Sequence, residues 1–82
     1  MTNGVRYVRQ VLTAIIGAPI VDELADDTAF FERGIIDSLQ LVEIIGYVES
    51  DLGIEVSGEE LSPENFGSIT GMARFLTAKG VL

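Results

Sequence analysis

Among side chains that act as nucleophiles or bases, this sequence offers mainly hydroxyls and carboxylates. No cysteine and no histidine occurs in its 82 residues. That removes the thiolate nucleophile, the disulfide, the usual general base and the commonest zinc ligand. Neither a self-contained active site nor a metal centre is expected. The hydroxyl singled out by its position is Ser38. It follows Asp37, which with Gln40 three residues on makes a capping box, each side chain satisfying an otherwise unpaired backbone N–H. Ser38 then takes the first helical position, where free N–H groups and the positive end of the helix dipole favour an anion. A phosphoester on its oxygen would be stabilised there. Spacing alone leaves a second reading open, in which Ser38 is an ordinary first residue behind its cap.

The elements that must position Ser38 follow from hydrophobic spacing. From residue 5 to 16, Val5, Val8, Val11, Leu12 and Ile15 recur at helical intervals, and Gly17 with Pro19 ends the pattern. Residues 17–36 hold no period and read as a long loop, with Leu24, Phe30 and Phe31 as the side chains to pin it. A loop this long in so small a domain calls for a function, and delivering Ser38 to the surface supplies one. At about 100° per residue, Leu41, Ile45, Val48 and Leu52 fall on one stripe of the second helix with Ile44 at its edge, and Gly53 closes it. Leu39 projects nearly opposite, on the side of Glu43, Gly46 and Ser50, flanked by Val42 and Tyr47. An apolar side chain is thus expected in water beside the hydroxyl. Gly46, costing about 1 kcal/mol relative to Ala inside a helix, suggests close approach by something outside, or else is a tolerated neutral change. Ser62-Pro63 opens a single turn to Phe66, and Ser68 caps a last helix whose inner stripe is Ile69, Met72, Ala73 and Leu76, ended by Gly80. The predicted fold is all-α: a four-helix bundle of three longer helices and a short third one, with the long loop between helices one and two.

Composition narrows the partners. Thirteen acidic against five basic residues leave a net charge of −8, which disfavours nucleic acid and anionic membranes and favours basic partner surfaces. The start, Met1-Thr2-Asn3-Gly4-Val5-Arg6, has no apolar stretch behind a basic start, and no run approaches the roughly 20 apolar residues of a membrane span. At 48% apolar residues the chain is too hydrophobic for a disordered acidic tail. One cytoplasmic, monomeric domain over residues 1–82 is expected.

The segment Phe30-Phe31-Glu32-Arg33-Gly34-Ile35-Ile36-Asp37-Ser38-Leu39 resembles the attachment segment of acyl and peptidyl carrier proteins. Asp-Ser-Leu is its centre. It opens an amphipathic helix with Glu43 five residues beyond the serine, and Asp51-Leu52-Gly53-Ile54-Glu55-Val56 is similar to the ending of that helix in the family. Leu61-Ser62-Pro63-Glu64-Asn65-Phe66-Gly67-Ser68-Ile69 resembles the short third helix and the start of the fourth in free-standing carriers. The resemblance implies that a phosphopantetheinyl transferase, using coenzyme A and a metal ion, attaches 4′-phosphopantetheine to Ser38. It implies further that cargo rides on the arm as a thioester, and that the carrier itself is not an enzyme. Asp37 would help engage the transferase, while Leu39, Val42 and Glu43 would form the edge read by partners; from position alone, Val42 at the rim of the core stripe is equally a packing residue and Glu43 equally a solvated one. Those partners would be the transferase, an acyl- or aminoacyl-loading enzyme, and a downstream transferase, synthase or thioesterase.

Fatty-acid carriers of the family usually read Leu-Gly-Ala-Asp-Ser-Leu and carry more acidic residues along the second helix. Here the segment is Gly34-Ile35-Ile36-Asp37-Ser38-Leu39, with Gly46 and Ser50 further on. This form is closer to discrete carriers of amino acids or special acyl groups in natural-product or cell-envelope biosynthesis. The other readings are a carrier for fatty-acid synthesis, a domain cut from a larger synthase, and an unmodified helical adaptor docking through Leu39 and Tyr47.

Overall fold

A computed structural model describes residues 3–82; Met1 and Thr2, the first residues of the N-terminal stretch read above, lie outside the described residues. The order is α1 (Asn3–Ile16), α2 (Ala18–Val21), α3 (Ser38–Leu52), a 3-10 turn (Gly58–Glu60), α4 (Pro63–Phe66) and α5 (Ile69–Ala78). No strand occurs among the described residues. No helix among them is long and apolar enough to cross a membrane. The all-α bundle with a long connection before the Ser38 helix is therefore the observed architecture.

Each boundary has a local cause. Asp37 accepts the Gln40 N–H at 2.8 Å and donates its own N–H to the Gln40 side chain at 3.1 Å, so α3 starts at Ser38. It ends on Gly53 at φ 66°, the left-handed conformation in which glycine has no Cβ to clash. Ser62 and Ser68 cap α4 and α5 as expected. Two short elements differ from the sequence reading. Pro19 does not simply break α1; with Gly17 before it the chain turns into α2, because proline is tolerated in a first helical turn, where its missing N–H would have no partner. The 3-10 turn is opened by Ser57 and Glu60, which form a second capping box. The Ser57 N–H, followed by Lys79, holds the Glu60 carboxyl below the usual carboxylate range.

The core is built from Val8, Val11 and Leu12 of α1, Ile44 and Val48 of α3, Phe66 of α4, and Ile69, Met72, Ala73, Phe75 and Leu76 of α5. Burying each large apolar side chain contributes about 1.5–3 kcal/mol. On α3 the stripe is rotated from the expected one. Ile44, placed at the edge by spacing, is 1% exposed and Val48 is fully buried, whereas Leu41, Ile45 and Leu52 are only partly covered. A neighbouring helix, and not the mean of the apolar positions, sets which line of a broad stripe goes deepest. In the loop, Phe30 is fully buried and donates its N–H to Gly67 O at 2.8 Å, while Phe31 points into solvent.

α5 packs against α4 through bare backbone: a Cβ on Gly71 would collide with the carbonyl oxygen of Glu64. Gly71→Ala should therefore lower the melting temperature, although alanine at an open helical site gains about 1 kcal/mol over glycine; a higher melting temperature would mean α4 can move aside at no cost. The rotated stripe makes a second prediction, read by urea unfolding. Ile44→Ala should destabilise by about 2–5 kcal/mol, and Leu39→Ala should change stability by no more than about 0.5 kcal/mol. Equal losses would put Leu39 in the core.

Candidate functional site

The segment between α1 and α3, which leads to Ser38, is tied down by Arg9 of α1. Its guanidinium donates to Val21 O at 3.1 Å, Leu24 O at 2.8 Å and the Asp26 carboxylate at 2.6 Å. The Asp26 carbonyl in turn accepts the N–H of Thr70 at 2.8 Å and its hydroxyl at 3.0 Å. α1, the loop and the start of α5 are thus joined at one point. Ile36, buried just before the cap, closes the other end. Sequence reading passed over Arg9. Its signal was a cation flanking the apolar stripe of the first helix in a chain with few cations.

What this frame presents is a free hydroxyl. Of the five serines, Ser57, Ser62 and Ser68 each accept a backbone N–H as helix caps. Ser38 is exposed, and among the described residues its hydroxyl makes no hydrogen bond, because Asp37 has taken the capping role. Ser50 is also free but lies in the last turns of α3, away from the helix start. The N–H groups of Ser38 and Leu39 belong to the first turn and have no helical acceptor upstream, so they face the space in front of the serine. The adjacent carboxylate, Asp37, is turned to the Gln40 N–H and not to the Ser38 oxygen. An alcohol so placed is suited to be a substrate that another protein deprotonates, with amides and a helix dipole ready for an attached anion.

The other candidate residues are distinguished by their exposure. Leu39 is 68% exposed and Val42 64%, so Val42 belongs to the outer surface and not to the rim of the core. Glu43 is exposed beside them. Leu39, Val42 and Glu43 share one outward face of α3, while Asp37 is turned back into its own cap.

The chain matches the family model for the phosphopantetheine attachment site over residues 6–76, from α1 into the last turns of α5. It is also similar to the D-alanyl carrier proteins of Leuconostoc citreum (strain KM20) and Leuconostoc mesenteroides subsp. mesenteroides. Each is 34% identical over 59 residues, which cover 72% of this chain and 73% of the relative. Carriers of this kind are served by a phosphopantetheinyl transferase and by enzymes that load and unload them. The helical frame, a hydroxyl available at a helix start and the family match converge: the chain belongs to the phosphopantetheine-attachment family, and it is a carrier protein, not an enzyme, that holds 4′-phosphopantetheine covalently.

Proposed function

We propose that Ser38 bears the arm, and that the chain is a discrete cytoplasmic carrier of aminoacyl or other specialised acyl cargo. The observation that carries this reading is the division of labour at the start of α3. Asp37 satisfies the helix, so the Ser38 oxygen is exposed and uncommitted. The arm supplies a thiol on a flexible chain, to which cargo is joined as a thioester. The protein's own residues do the rest: the N–H groups of Ser38 and Leu39 face the phosphate, and Leu39, Val42 and Glu43 offer a surface to the transferase, the loading enzyme and the enzyme that takes the cargo away. Residues 1–82 act as one monomeric carrier domain.

Two observations support an aminoacyl cargo over a long acyl chain. The relatives are named for D-alanine. Behind α3 the core is filled by fully buried side chains, Ile44, Val48, Ile69 and Met72 among them. Housing a long acyl chain there would displace close-packed atoms, whereas a small aminoacyl group needs no such space. A D-alanyl group in cell-envelope biosynthesis is the favoured assignment.

Apo chain incubated with coenzyme A and a phosphopantetheinyl transferase should gain one arm by intact mass in the wild type and in Ser50→Ala, and none in Ser38→Ala. An arm on Ser38→Ala contradicts the assignment. Given ATP, D-alanine and a D-alanine-activating enzyme, the holo chain should become D-alanylated in a form released by hydroxylamine. A holo chain that stays unloaded there yet accepts long acyl groups contradicts the cargo reading.

A further inference from the structure

The segment that leads from α1 to Ser38 encloses a concavity of about 480 Å³. Its apolar side includes Ile20, Leu24 and Ile35, and its polar groups are Glu23, Thr28 and Arg33. The volume falls within the range of pockets that take small ligands. The concavity is also more enclosed than the larger groove between the start of α1 and α5. Its walls are fixed in advance. Leu24 O accepts from the Arg9 guanidinium at 2.8 Å, Thr28 donates its N–H to Ala25 O at 3.2 Å, and Ile35 donates its N–H to the O of the buried Phe30 at 2.9 Å. A pocket held in this way needs little ordering when a ligand enters.

Two opposite charges line this concavity without pairing. The ion pairs among the described residues are Arg9–Asp26 and Lys79–Glu60, and neither the Glu23 nor the Arg33 side chain has a hydrogen-bond partner among them. Arg33 is also the single cation between Arg9 and Arg74 in the sequence. A ligand that satisfies both groups brings a cationic donor to Glu23 and an acceptor oxygen to Arg33, with a small apolar part for Ile20, Leu24 and Ile35. An aminoacyl thioester has all three: an α-ammonium, the adjacent carbonyl oxygen and, for alanine, a methyl group. A plain acyl thioester of the same size lacks the cation.

Position selects the same ligand. Ile35 is three residues before Ser38, so even extended backbone keeps their Cα atoms within about 11 Å, and the arm has more bonds along its length than those three residues. The groove beside the start of α1 is at the other end of the bundle. The 2.7 Å bond from Tyr7 to Asp51 puts that end of α1 next to the last turn of α3, and Asp51 is about 20 Å along the helix from Ser38. Resting on the reading of Ser38 as the attachment residue and of the cargo as aminoacyl, we propose that the concavity before α3 receives the aminoacyl end of the chain's own arm. The Glu23 carboxylate accepts the α-ammonium, and the Arg33 guanidinium donates to the thioester carbonyl. Because the arm keeps the cargo near the site, a contact between exposed charges that is weak on its own is enough to favour the docked position. Aminoacyl cargo is thereby distinguished from acyl cargo of equal size by the one charge in which they differ.

The test uses the full-length, isotope-labelled chain, converted by a phosphopantetheinyl transferase and coenzyme A analogues to three forms: a bare arm, an arm bearing D-alanine and an arm bearing propionate. Both cargoes are joined through an amide in place of the thioester, so that they stay attached. Propionyl has the carbon skeleton of D-alanyl without its ammonium. At about pH 6, below the ordinary range of an α-amino group, the alanyl amine is protonated. Relative to the bare arm, D-alanyl should displace the backbone amide resonances of Leu24, Thr28 and Ile35 at least about twice as far as propionyl does, as a weak charge contact would cause. Glu23→Gln, a change of nearly equal shape at an exposed position, should bring the D-alanyl displacements down to the propionyl level. Arg33→Gln should lower the displacements from both cargoes. Raising sodium chloride from about 0.05 to about 0.5 M should reduce the excess due to D-alanyl by about half or more. Equal displacements by the two cargoes, or an excess that survives Glu23→Gln, would overturn the site, as would displacements concentrated on Ile44 and Met72 in the bundle core. Displacements unchanged in Arg33→Gln would overturn the carbonyl contact. Each of these results would leave Ser38 as the modified residue, which intact mass of Ser38→Ala tests separately.

Discussion

The carboxylate of Asp37 decides where α3 begins, and the availability of Ser38 depends on that decision. A helix start exposes N–H groups that need acceptors, and a serine at the cap would be drawn into the work, as Ser57, Ser62 and Ser68 are. With Asp37 and Gln40 exchanging two hydrogen bonds, the cap is complete one residue earlier. The serine that follows keeps helical backbone geometry, sits at the positive end of the dipole and retains a free hydroxyl. A cap contributes about 1 kcal/mol to stability. Here its larger consequence is chemical.

A fixed helix start is of use only if the segment before it is held, and the loop is held by unequal means. The Arg9–Asp26 ion pair is partly exposed, and pairs of this kind contribute roughly 0–1 kcal/mol. The bonds from the same guanidinium to the part-buried carbonyls of Val21 and Leu24 are charge-assisted and worth about 1.5–3 kcal/mol each. Phe30 and Ile36 add burial at the far end. The same packing that draws Ile44 and Val48 inward turns Leu39, Val42 and Gly46 outward, so the apolar surface that α3 leaves in solvent follows from the side the core takes.

Features governed by local rules were legible in the sequence. The caps at Asp37, Ser62 and Ser68, the left-handed Gly53 and the single turn from Pro63 each depend on a few neighbouring residues, and all are present. The outward direction of Leu39 was legible because it lies opposite the stripe under either phase. The depth of Ile44 was not, since α3 is apolar over a wide arc and Phe66 and the α5 side chains, distant in sequence, select its centre. Phe30 and Phe31 are alike in composition and adjacent, and only the loop's path separates them. Ser57 to Glu60 repeats the pattern of serine and an acidic residue three positions later, so the 3-10 turn had a readable signal. For Arg9 the partners are loop carbonyls, which no side-chain pattern announces.

On the proposed reading, the arm is joined to the oxygen that the Asp37 cap leaves free. Fragmentation mass spectrometry of the intact holo chain reads this directly, because fragment ions on either side of each residue locate the added mass. The increment should appear between the fragments that bracket Ser38 and nowhere else. An increment placed on Ser50, on a capping serine or on a threonine would contradict it.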